Sequence, residues 1–377
     1  MAAKSIISDL METCLRLTGL WPDSSYRILK RTAFITVLLT FVILQFWYCI
    51  IHVKNESMVD LLDKLSVAIS NSVVFAKFVA ICIHQRVLTE TLAIMAEDWN
   101  DLEQSDSRIM IQKAALADRI TKITLMIYFP TVPFYTATIF LSPSDDTTEK
   151  KFLLHFPFNL TETPVYETVV SVQVIEEWIL SLTAGAFMAL STTLVIHVAA
   201  RIEVITEKLK QDLDCRNEKE ARLMSMRGII VKHERVIVLS ENIETLFTMV
   251  ALAQFLYNTI VMCFIGFVLV TALDTGQFFT ALSRTFSFYL SVNFEALILC
   301  YTGEYLTTKG EYVGLAAYNS NWYDLSVQET RALLLIILRS QKSLTLTIGK
   351  FTNLSLVTFA NMMKASASYV SVLYAME

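Results

Sequence analysis

Long uncharged runs alternate with charged segments along this chain, in the pattern of membrane-crossing helices. A helix needs roughly 20 apolar residues to cross about 30 Å of hydrocarbon. Residues 33–53 carry no charge, and 65–83 carry only Lys77. Residues 123–142 are uncharged and contain Pro130 and Pro133, which neighbouring helices must accommodate. Residues 178–200 and 246–272 are uncharged, 285–303 carries Glu295, and 351–375 carries Lys364. Seven spans are predicted. The run ALLLIIL at 332–338 is too short to cross and reads as a packed helix on one side. The first 31 residues lack the apolar core and small-residue cleavage site of a removable signal peptide.

Between spans four and five, residues 201–245 mix apolar and charged positions at helical spacing. Ile202, Ile205, Leu209 and Leu213 step by three or four, and Ile230, Val238 and Ile243 do so less strictly. Helical extensions of the spans are expected over about 201–245 and 304–350. Apolar stripes beyond the membrane need burial, so these extensions predict an intracellular bundle joining subunits. The expected fold class is an all-α membrane protein, one seven-helix domain over residues 1–377.

Orientation follows from Lys and Arg in the connecting segments. Residues 1–32, 84–122, 201–245 and 304–350 together hold 24 of them, against four on the opposite side (Lys54, Lys64, Lys150, Lys151). The N-terminus is therefore expected in the cytoplasm and the C-terminus outside. That arrangement argues against a G-protein-coupled receptor, whose N-terminus is outside. Asn55 and Asn159 begin glycosylation sequons on the side expected to be extracellular.

Composition agrees with the span count. Apolar residues make up 54% of 377 and charged residues 18%, against roughly 45–50% and 25% in soluble domains. That excludes a disordered chain, a collagen and a disulfide scaffold. Net charge is −5, the wrong sign for a nucleic-acid partner. None of the six Cys lies in an outer segment, so no structural disulfide is expected. No phosphate-binding, dinucleotide-binding or nucleophile-elbow motif is present, and the five His show no ligand spacing. No enzyme activity, metal or cofactor is expected. Glu176 and Glu177 read as a solvated helix end. Lys77 reads as a snorkelling side chain, whereas mid-span Glu295 needs a partner or water. In the last span Asn361, Ala365, Ser368 and Val372 share one face, which suits helix packing or a pore wall equally.

The C-terminal third carries a family resemblance. Residues 316–324 (AAYNSNWYD), 339–356 (RSQKSLTLTIGKFTNLSL) and 359–374 (FANMMKASASYVSVLY) resemble the signature of insect odorant receptors. IVKHERVIVL at 230–239, CYTGEYL at 300–306 and HFPFNLTETPVYE at 155–167 also match that pattern. Gustatory receptors of the same superfamily typically end in TYxxxxxQF. Here Ser368-Tyr369 is close to the first pair, but Ala375-Met376 replaces Gln-Phe, which favours the odorant branch. The 45-residue segment between spans four and five leaves no room for the insertion of the family's co-receptor, so the chain resembles an odorant-binding tuning subunit.

The resemblance implies a heterotetrameric, ligand-gated, nonselective cation channel formed with that co-receptor in the plasma membrane of olfactory sensory neurons, surrounded by membrane lipid. It places Val372 at an apolar gate, with Ser368, Ala365 and Asn361 below it along the pore. Lys364 departs from the small residue expected there and borders the pore face. Tyr318, Trp322, Leu333, Leu334 and Ile337 lie on the cytoplasmic side with no span to bury them, so they are expected between subunits. The resemblance also puts an odorant pocket among the outer halves of spans two, three, four and six. That selects Ile69, Ser72 and Phe75; Phe129, Pro133 and Tyr135; Trp178, Leu182 and Gly185; and Phe286 and Tyr289. Such a wall is expected to choose a small, neutral or weakly polar volatile by shape and apolar area. Trp178 and Tyr289 are its expected hydrogen-bonding residues.

Overall fold

A computed structural model describes residues 7, 9–22, 26–54, 57–102, 104–141, 165–214, 219–274 and 278–375. Asn55, Asn159 and Cys215 lie outside the described residues. The helices are α1 (Asp9–Leu17), α2 (Arg27–His52), α3 (Met58–Ile83), α4 (Gln85–Asn100), α5 (Gln104–Tyr128), α6 (Thr131–Leu141), α7 (Val165–Asp214), α8 (Lys219–Asp274), α9 (Phe278–Tyr318), α10 (Val327–Ser340) and α11 (Leu356–Ala375). Among the described residues the only sheet is a hairpin of β1 (Thr347–Ile348) and β2 (Thr352–Asn353). The chain is an all-α membrane protein.

The apolar stripes beyond the spans are continuations of the same helices. With 50 and 56 residues, α7 and α8 reach about 75 and 84 Å at 1.5 Å per residue, more than twice the hydrocarbon thickness. Every residue from 183 to 202 is buried, so α7 is the central post of the bundle. Its lower stripe enters the main core, where Ile202, Ile205 and Leu209 meet Met226, Ile229, Leu239 and Ile243 of α8. The stripes are thus buried largely within the chain itself. The side chain of Leu213 lies outside the described residues. By contrast α2 exposes Val37, Ile43, Trp47 and Ile50, the surface a helix presents to lipid.

The third span is broken. An interior proline removes an N–H and frees the carbonyl four residues back. Here α5 stops at Tyr128, Phe129 and Pro130 form a turn, and α6 begins at Thr131. Pro133 cannot answer the Phe129 carbonyl, and the Trp178 indole N–H donates to that oxygen instead, at 2.8 Å. Ser181 donates to the Tyr128 carbonyl at 2.9 Å. Two donors on α7 therefore satisfy backbone at the break, Trp178 the carbonyl that Pro133 leaves open and Ser181 the carbonyl that ends α5, as the absence of water in a membrane requires.

The base of α11 is fixed by the segments that carry the family resemblance. Glu244 of α8 accepts the Thr347 N–H at 2.8 Å and also holds the Thr347 hydroxyl. Gly349 turns the hairpin with φ 58°. A Cβ there would come within 2.8 Å of Leu252 Cδ2, so only glycine lets the hairpin sit against α8. Ser355 caps α11 by accepting the Thr358 N–H at 3.1 Å, and Glu304 of α9 accepts the Leu356 N–H at 2.8 Å. A carboxylate at this point also complements the helix dipole. Leu354 packs so closely on Gly303 that an added Cβ would lie 2.5 Å from its own.

At the end rich in Lys and Arg, hereafter the basic end, ion pairs tie helices together. Asp98 of α4 is fully buried. It meets His197 at 3.0 Å, Arg201 at 3.3 Å and Arg235 at 3.1 Å, joining α4, α7 and α8. Burial alone would raise its carboxyl, but the His197 hydrogen bond and the Arg201 charge outweigh burial and hold it below the ordinary value. Glu203 of α7 pairs with Lys113 of α5 at 2.9 Å and Lys309 of α9 at 3.3 Å. Glu329 closes a capping box with Ser326 and pairs with Arg222 at 3.0 Å.

Candidate functional site

A cavity of about 120 Å³ lies between α3, the α5–α6 break, α7, α8 and α9. It is on the scale of the roughly 150 Å³ apolar cavity that takes up benzene. Val67, Val74, Val132, Leu180, Phe288 and Val292 give it apolar wall. The break in the third helix shapes this wall, since Tyr128 ends one helix and Thr131 opens the next.

The rest of the lining is unusually charged for a membrane interior. Lys77 of α3 pairs with Glu295 of α9, both buried. Lys77 therefore does not snorkel: its ammonium is held by the carboxylate that needed a partner. Charges inside a membrane are expensive alone and are found paired or facing a cavity, and this pair does both. Glu177 is the second carboxylate. Its Oε1 accepts the Asn71 amide at 2.8 Å and the Gln45 amide at 2.9 Å, and Asn71 also donates to Gln45 at 3.1 Å. Glu176 is buried beside it. The two glutamates are not a solvated helix end: they lie about three turns inside α7, where Glu176 is buried and Glu177 bonds to Asn71 and Gln45. Around the wall Tyr257 donates to Ser70 at 3.1 Å, and the hydroxyls of Thr131 and Ser291 meet at 3.1 Å.

The cavity draws on the helices expected from sequence, together with α8, but on a different face of each. Of the expected ligand contacts, Ile69, Ser72, Phe75, Phe129, Pro133, Trp178, Leu182, Gly185, Phe286 and Tyr289 are all absent from its lining. The side chain of Tyr135 lies outside the described residues. Most of the ten stand one position from a lining residue: Ile69 beside Ser70, Phe75 beside Val74, Trp178 beside Glu177, Leu182 beside Ser181, Tyr289 beside Phe288. One residue is about 100° of helix rotation. Three of the displaced residues pack the helices together. Ile69 and Tyr289 join a cluster around Tyr257 and Val261, and Phe75 packs against Leu38 and Leu180. Ser72 bonds back to the Ala68 carbonyl. Leu125 and Tyr128 approach α7 at Gly185. Phe129, Pro133 and Phe286 are exposed, and the Trp178 donor belongs to Phe129.

On α11, Asn361, Ala365, Ser368 and Val372 form an exposed stripe, with Lys364 exposed at its border. The opposite face carries the packing: Met362 and Ser366 are buried, and Val370 lies against Gly266 of α8, where an added Cβ would come within 2.4 Å. Of the expected interface residues, Tyr318, Trp322 and Leu334 are exposed. Leu333 is buried and Ile337 half-buried in the chain's own core, because α10 turns one face inward against α8 and α9. Leu335 and Leu338 extend the exposed face. Among the described residues no group of three metal-ligating side chains is gathered.

A bundle of long helices that closes a small cavity within the membrane, and leaves one face of its last helix unpacked, defines a membrane receptor. The chain belongs to the insect odorant receptor family: residues 57–367 match the model of the 7tm Odorant receptor family. It is 25% identical over 224 residues to Odorant receptor 82a of Drosophila melanogaster, covering 59% of this chain and 57% of that one. It is 24% identical over 222 residues to Odorant receptor 10 of Aedes albopictus, covering 56% of each. The chain thus spans about half the length of the curated relatives it matches. The insect olfactory receptor OR5 from Machilis hrabei, solved in complex with eugenol, superposes with a TM-score of 0.83 over 98% of this chain and 97% of that one, at 16% identity. A second structure of that receptor superposes with a TM-score of 0.81 at 15% identity. The fold, with its seven membrane spans, is shared.

Proposed function

We propose that this chain is the odorant-binding subunit of a heterotetrameric, ligand-gated, nonselective cation channel, assembled with the family's co-receptor. In this reading the N-terminus and basic end are cytoplasmic, and the C-terminus and the sequons at Asn55 and Asn159 are extracellular. The channel sits in the plasma membrane of olfactory sensory neurons. A small volatile enters the cavity, and α11 lines the central pore with Val372 at an apolar gate and Ser368, Ala365 and Asn361 below it. Tyr318, Trp322 and Leu334 pack against neighbouring subunits.

The observation that carries this reading is continuity between cavity and last helix. Tyr257 lines the cavity on the same unbroken helix whose Gly266 contacts Val370 of α11. The face of α11 turned away from that contact is the exposed stripe. Support for the odorant role comes from the family and from the Machilis hrabei receptor of the same fold.

Current recorded from cells expressing the chain with and without a co-receptor, against a panel of volatiles, tests the proposal. Ligand-dependent current is expected only from the pair. Val372→Ser in the pair should raise current without ligand, since a hydroxyl lowers the cost of wetting an apolar constriction. Unchanged resting current at normal surface expression would remove Val372 from the gate.

A further inference from the structure

The polar atoms that line the cavity are of two incompatible kinds. Glu177 spends Oε1 on Asn71 and Gln45, while Oε2 has no partner in the chain. Glu295 spends one oxygen on Lys77, and the Tyr128 hydroxyl faces the same carboxylate. An ionised carboxylate can only accept. Lys77 offers an ammonium with three N–H groups, of which Glu295 takes one, and an ammonium can only donate. Deeper in the wall the Gln254 Oε1 is buried without a hydrogen bond.

A guest in this space therefore meets both acceptors and a donor. A hydrocarbon answers neither, and leaving such groups desolvated is costly. A carbonyl or ether oxygen can take an N–H from Lys77 but offers nothing to Glu177. A cation would satisfy the carboxylates but would have to enter beside the Lys77 charge. A hydroxyl donates one hydrogen bond and accepts others, and it carries no charge to desolvate. We infer that the ligand class of this cavity is the small hydroxylated volatile, an alcohol or phenol whose O–H donates to the open oxygen of Glu177. The apolar wall of Val67, Val74, Leu180 and Val292 would hold the carbon skeleton. This rests on the odorant-binding reading and sharpens the sequence expectation of a ligand chosen mainly by apolar area.

The size of the effect follows from the chemistry. A hydrogen bond to a charged group contributes about 1.5–3 kcal/mol, so its loss corresponds to roughly a tenfold or larger loss of affinity. The test uses purified full-length receptor in detergent, with ligand-induced stabilisation as the binding readout. The probes are an alcohol, an aldehyde and a hydrocarbon of near-equal size in each of two series: benzyl alcohol, benzaldehyde and ethylbenzene; 1-hexanol, hexanal and heptane. In at least one series the alcohol is expected to bind roughly tenfold or more tightly than both analogues. Glu177→Gln, which keeps the side-chain shape but replaces an acceptor with a donor, should erase that preference. Binding of the aldehyde or hydrocarbon as well as the alcohol, or of no probe in either series, overturns the inference. Retained preference in Glu177→Gln overturns the role of Glu177. Currents from the co-expressed pair separate the two readings: an alcohol that binds without opening a channel sustains the ligand class and sinks the channel proposal.

Discussion

The two ends of the bundle treat buried charge in opposite ways. At the basic end Asp98 is surrounded by His197, Arg201 and Arg235, and Glu203 by Lys113 and Lys309. Each carboxylate is answered by more than one side chain, and each cluster joins three helices. At the cavity end Glu177 has only amide donors and one free oxygen, and the Lys77–Glu295 pair has bonding capacity left over. Carboxylates paired with several cations hold helices in one arrangement. Unsaturated ones keep a place for a molecule the chain does not contain.

The comparison breaks first at Lys77. Lys77→Met leaves Glu295 buried without a cation, an error that typically costs 3–5 kcal/mol. Against a total stability of about 5–15 kcal/mol, surface expression and melting temperature should both fall sharply. Adding Glu295→Gln should recover most of the loss while leaving the ligand response impaired. Full stability in Lys77→Met alone would mean that the pair is not buried as described.

Trp178→Phe should act more gently, because it keeps the ring against Phe129 and removes only the indole donor. About 1–3 kcal/mol is expected from leaving the Phe129 carbonyl unanswered. The dose–response curve should hold its position for any ligand held through Glu177, so a large shift would return Trp178 to the cavity wall.

Acid sharpens the contrast at the basic end. Asp98 has its carboxyl lowered by His197 and Arg201 against the opposing effect of burial, and Glu329 by Ser326 and Arg222 against the same effect. A carboxyl lowered in the folded state adds stability that is full above its unfolded value near 4 and is lost as pH falls through the folded one. Melting temperature should decline as pH falls below about 4, with a shallower decline in Asp98→Asn. An unchanged slope would detach Asp98 from acid stability.

Much of the fold was legible in the sequence, for a physical reason. A 20-residue uncharged run has few alternatives to a membrane helix, and the Ile202–Ile205–Leu209 stripe repeats at helical period. The break at Phe129–Pro130 was marked by its prolines, yet the run read as one span because nothing local says whether α7 will supply replacement donors. The cavity was legible by helix and not by face. In a soluble helix the polar side reveals which way the apolar side points. In these spans lipid-facing and protein-facing positions are both apolar, so Ile69 and Val74 look alike until the neighbours are placed. The better signal was charge: Lys77 and Glu295, 218 positions apart, were the intramembrane ions of opposite sign in helices expected to meet. Reading them as a pair would have set the rotation of both helices.

The unbroken length of α8 has a mechanical consequence. Its seat is the hairpin, where Thr248 accepts the Gly349 N–H at 3.0 Å. From there Tyr257 in the cavity wall is about 13 Å along the rod, and Gly266 against the last helix is about 27 Å. A rod pivoting at its seat moves each point in proportion to its distance, so any displacement at the cavity wall is doubled where α8 meets α11. Pivoting there, the helix would act as a lever with a gain of about two, its output landing on the face of α11 opposite the exposed stripe.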